Sequence, residues 1–69
     1  MQLTKEQVEE RVRRLKEWCD HTPEGHYMYS SVKKELNEYI NELADMDLMG
    51  VAEIKSKVPT QFYGQLDRI

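Results

Sequence analysis

A single cysteine, Cys19, leaves the chain without an internal disulfide. A reducing compartment, the cytoplasm, is the setting that composition predicts. Three glycines and two prolines among 69 residues are too few for a collagen-like or low-complexity chain. No stretch approaches the roughly 18 consecutive apolar residues of a membrane span. The opening Met-Gln-Leu-Thr-Lys lacks a signal-peptide h-region, and no membrane contact is expected. A Gly-rich phosphate loop, a nucleophile elbow, HExxH and CxxC are also missing. A chain of this length struggles besides to enclose a pocket of about 300 Å³. The reading is therefore non-enzymatic, with no catalytic residue, no metal ligand and no cofactor assigned.

What is present suits a folded unit. Hydrophobic residues make up 39% and charged residues 33% of the sequence, and the length predicts one helical domain over 1–69. The net charge of −3 is unevenly spread. Residues 1–20 balance, residues 21–50 carry two basic against six acidic groups, and residues 51–69 carry three against two. Phosphate binding needs clustered Lys and Arg, so the acidic middle disfavours nucleic acid and suits a complementary protein surface.

Thr4 with Gln7 has capping-box spacing, and Leu3 with Val8 has that of a hydrophobic staple. Val8, Val12, Leu15 and Cys19 then recur as one helical stripe. Glu9–Arg13 and Glu10–Arg14 are acid-before-base pairs at i,i+4. After a break at 20–31, a second helix begins near Pro23 or restarts at Ser30 or Ser31. Its apolar face is Val32, Leu36, Tyr39, Ile40, Leu43 and Met46, with Gly50 as its stop. Two short C-terminal helices are expected next, one burying Val51, Ile54 and Val58. The other opens at Pro59-Thr60 and buries Phe62, Leu66 and Ile69. The expected fold is all-α: a small three- to four-helix bundle of two long and two short helices. No strand is predicted. Chains this small commonly supplement their core by association, which makes a homodimer the expected state.

Three features invite chemistry. Cys19, Asp20, His21 and His26 can each ligate a metal, but a structural zinc site takes four ligands at ordered spacing. The bland reading is a buried thiol followed by solvated loop histidines. Residues 51–69 loosely resemble a helix-turn-helix, with Thr60, Gln61, Tyr63 and Gln65 in groove-facing positions. The turn lacks its usual glycine and holds Pro59, and Arg68 is the reader's one arginine. Third, Glu35, Glu38, Glu42 and Asp45 form an acidic row beside the apolar face of the second helix. That row is read either as a solvated face or as a strip that docks a basic partner.

Trp18, Tyr27, Tyr29 and Tyr63 fall off or beside the apolar stripes, where aromatics either anchor partners or complete a small core. The leading reading is a small non-catalytic interaction module, a regulator or inhibitor of phage or mobile-element type that modulates a larger protein. Its expected contacts are those four rings and the acidic row. A DNA-binding regulator using 51–69 and a small-ligand binder at a dimer interface are the alternatives.

Overall fold

The computed structural model describes residues 2–58 and 61–68. The element order is β1 (Gln2–Thr4), α1 (Lys5–Asp20), α2 (Tyr29–Met49), β2 (Glu53–Lys55) and a 3-10 turn at Tyr63–Gln65. The all-α bundle of three to four helices is thus corrected. Two helices carry the fold, the strands form an antiparallel pair, and no helix longer than the 3-10 turn follows α2 among the described residues.

α1 starts where its cap dictates. The Gln7 N–H donates to Thr4 Oγ1 at 3.2 Å, and the Thr4 N–H donates to Gln7 Oε1 at 2.9 Å, which satisfies two donors at the helix start. Leu3 and Val8 are both buried in the core, as a staple requires. Arg13 grips Glu10 at 2.6 Å and reaches Glu17 at 3.3 Å. The i,i+4 pairs Glu9–Arg13 and Glu10–Arg14 thus give way to Arg13's own neighbours, and Arg14 lies 3.9 Å from Asp67. The guanidinium of Arg13 holds the Glu10 carboxyl below its ordinary range.

α2 begins at Tyr29, with no side-chain cap. It ends at Gly50, whose φ of 69° is left-handed and whose N–H donates to the Met46 carbonyl. Glycine enters that region without the steric penalty of a Cβ. The turn sends the chain back so that β2 meets β1 with Leu3 opposite Ile54. Lys5 at the head of α1 pairs with Asp47 near the end of α2, and the hydrogen bond and charge of Asp47 raise the Lys5 pKa.

The core comprises Leu3, Val8, Leu15, Cys19, Val32, Leu36, Tyr39 and Met46, flanked by partly buried Val12, Leu43, Ile54, Val58, Phe62 and Leu66. Ile40 and Val51, expected inside, are exposed. At about 100° per residue, Ile40 falls a quarter-turn from Tyr39, outside the stripe that faces α1. Pro59, Thr60 and Ile69 lie outside the described residues.

Beyond β2 the described residues, 56–58 and 61–68, form an irregular tail over the helices. A terminal helix would satisfy its N–H groups from its own carbonyls; here those of Gln61, Phe62 and Tyr63 go to the carboxylate of Glu35. The tail's turns close as i→i−3 bonds, Gln65 N–H to Phe62 and Arg68 N–H to Gln65. The helix-turn-helix resemblance fails on this point, because no recognition helix forms among residues 51–58 and 61–68. No helix among the described residues is long and apolar enough to cross a membrane.

Candidate functional site

The acidic row divides in two. Relative to Tyr39, Glu35 and Glu42 sit about 40–60° round α2, while Glu38 and Asp45 sit about 100–120° round. The inner pair faces the tail. Glu35 is only 4% exposed, and its two oxygens accept the N–H groups of Gln61, Phe62 and Tyr63 at 2.9–3.2 Å. Glu42 accepts the Ser56 hydroxyl at 2.9 Å and the Lys57 N–H at 2.8 Å. Both carboxylates thus bind the protein's own backbone. A buried carboxylate is tolerated because its lone pairs are filled by aligned donors.

Glu38 and Asp45 remain on the outer side. With Asn41, Glu42 and Met49 they form one wall of a groove of about 580 Å³, whose other wall is Ile54, Lys55, Lys57 and Val58. Exposed Leu48, Met49 and Val51 lie at the same end of the molecule.

The four aromatic candidates also part company. Tyr63 is half-buried, packs against the core and lies beneath the Arg11 guanidinium, 4.9 Å from its ring centre. Tyr29 is half-buried, with the Lys33 ammonium 5.7 Å from its ring. Trp18 packs against the core at the end of α1. Tyr27 differs: the residue is 81% exposed.

That tyrosine is not loose. His26 stacks on it at 4.8 Å with 18° between the planes, and meets Trp18 edge-on at 5.3 Å. The His26 ring is fixed in turn because its Nδ1 accepts the Met28 N–H at 3.0 Å, so in the neutral ring the proton sits on Nε2. Turns at His26 N–H to Pro23 and Tyr29 N–H to His26 shape the loop that carries these rings. Trp18, His26 and Tyr27 therefore form a continuous aromatic tip at the connection between the helices, opposite the sheet. The sequence marks Trp18 and Tyr27 as candidate contacts, but offers His26 only as a possible metal ligand or a solvated loop residue. Its position beside Tyr27, eight residues past Trp18, was the available signal.

Cys19 is buried, and burial pushes its thiol pKa up, which opposes the thiolate a nucleophile needs. Among the described residues, no three His, Cys, Asp or Glu side chains gather into a metal-binding group. The arrangement offers apolar and aromatic contact area with fixed hydrogen-bonding edges. No protein-family model, curated protein or solved structure matches the chain.

Proposed function

We propose that this chain is a small non-catalytic interaction module that binds a larger protein in the cytoplasm and modulates it, as a regulator or inhibitor. The observation that carries the reading is the exposed Tyr27 ring, stacked on His26, which Trp18 meets edge-on from the end of α1. Large aromatic side chains dominate binding energy at protein interfaces. A ring already stacked on a neighbour loses less conformational freedom on docking than a free one, which favours affinity. The charge balance supports a protein rather than a nucleic-acid partner, because α2 presents Glu38 and Asp45 outward where phosphates would be repelled.

The test is capture from the native cell with the full chain as bait, followed by mass-spectrometric identification. A stoichiometric protein should bind the natural chain and be lost with Tyr27→Ala. Because the ring is exposed, that variant should keep its stability within about 0.5 kcal/mol. Retention of the same partner by Tyr27→Ala would overturn the assignment of the tip. Salt-sensitive retention of DNA by the purified chain, or turnover of a substrate, would overturn the function itself.

A further inference from the structure

The two-stranded sheet leaves one edge of β2 open, and its backbone phase can be read from a single bond. The Lys5 N–H donates to the Ala52 carbonyl at 2.8 Å, one step beyond the Thr4–Glu53 pair. Antiparallel ladders alternate hydrogen-bonded with non-hydrogen-bonded pairs, so Leu3 and Ile54 form the bonded pair. The N–H and C=O groups of Glu53 and Lys55 then point away from β1. Among the described residues, no hydrogen bond in the fold engages these four backbone groups.

We propose that this edge pairs with β2 of a second copy of the chain, antiparallel and centred on Ile54, to give a four-stranded sheet. The register is set twice over. Centring on Ile54 places Glu53 of each copy opposite Lys55 of the other, and those are the residues whose backbone groups point outward. The same twofold alignment therefore forms four main-chain hydrogen bonds and two cross-strand ion pairs of opposite sign. Exposed edges are normally blunted by charge that repels a second strand. Here the two signs flank the centre symmetrically, so the edge is complementary to itself, as an isologous interface requires. Met49, Ile54 and Val58 line the groove beside this edge, and Val51 is exposed just before β2. These residues supply the apolar surface that a second copy would cover.

The experiment is sedimentation equilibrium on the purified full chain across a wide concentration range, with circular dichroism confirming that each variant is folded. The natural chain should dimerise reversibly. Glu53→Lys and Lys55→Glu each turn two attractive pairs into repulsive ones and should weaken the dimer about tenfold or more. Mixing these two single variants should restore association as a heterodimer, and the doubly swapped chain (E53K with K55E) should restore the homodimer. A chain that stays monomeric at high concentration overturns the proposal. So does a dimer indifferent to the single swaps, or one rescued neither by mixing nor by the double swap. All of these measurements use the chain alone, so they stand or fall independently of the aromatic tip.

Discussion

Glu35 shows how one side chain redirects a fold. Positions 32, 35, 39, 42 and 46 follow alternating steps of three and four, the spacing of a seam that packs against a partner. Two of those five places are held by glutamates. Each is tolerated because the tail brings donors to it, three backbone N–H groups at Glu35 and a hydroxyl plus an N–H at Glu42. Glu35→Ala should therefore orphan the donors of Gln61, Phe62 and Tyr63 and destabilise the chain by about 1–3 kcal/mol. In a domain of this size that corresponds to a melting point lower by roughly 4–8 °C for each kcal/mol. Asp45→Ala, on the outer side, should stay within about 0.5 kcal/mol; equal losses in thermal melts of the two variants would contradict this division of the row. Cys19 supplies a second test. Its thiol pKa is raised by burial, so iodoacetamide should alkylate it at least about tenfold more slowly than a free thiol. As pH rises past the ordinary thiol pKa the unfolded chain releases its proton first, so this group's contribution falls with rising pH. Alkylation of the folded chain at the free-thiol rate would show that Cys19 is not shielded.

At the scale of elements, Gly50 decides where α2 stops and β2 can begin. An added Cβ there meets no heavy atom within 4 Å, yet φ is 69°. The consequence of Gly50→Ala is thus conformational rather than steric, a destabilisation of about 1 kcal/mol. An unchanged melting temperature would mean that the turn re-forms without the left-handed residue. Both helices were legible in the sequence because their signals are local: the Thr4–Gln7 box, the stripe through Val8 and Leu15, and Gly50. The strands were not. Each has three residues, too few to show alternation, and their pairing joins Gln2 to Lys55 across both helices. The tail was illegible for a different reason. Its partners at Glu35 are backbone N–H groups, which every residue but proline carries, so nothing in Gln61-Phe62-Tyr63 announces them. What α2 did offer was an acid on the spacing of its apolar seam. The aromatic tip was half visible: Trp18 and Tyr27 stood apart from the stripes, but their connection through His26 depends on how the loop after α1 turns.

Across the whole molecule, which measures 37 × 19 × 16 Å, the tail takes the place of a third helix, and Arg11 ties it to the other two layers. The Arg11 Nη1 donates to the Tyr39 hydroxyl at 2.7 Å on α2, while the same guanidinium lies 4.9 Å from the Tyr63 ring centre on the tail. One residue of α1 thus touches both elements packed against it. Tyr39 is fully buried, and the Arg11 guanidinium brings a charged donor to its hydroxyl there. Arg11→Ala should destabilise by about 1.5–3 kcal/mol, the range for a hydrogen bond to a charged group. Arg11→Lys keeps the charge but loses the planar fork that serves two rings at once, and should recover part of the difference. Because Arg11 and Glu35 hold the tail to both helices, the tail should open only when the helices do. Native-state hydrogen exchange tests this directly. The Phe62 and Tyr63 amides should share the opening free energy of the Tyr39 amide in α2, and Arg11→Ala should lower all three together. Tail amides that open well below Tyr39 in the natural chain would show that the helices and β1–β2 are stable without it. In that case Phe62, Tyr63 and Leu66 would be a detachable cover over the helices rather than the third layer of one cooperative fold.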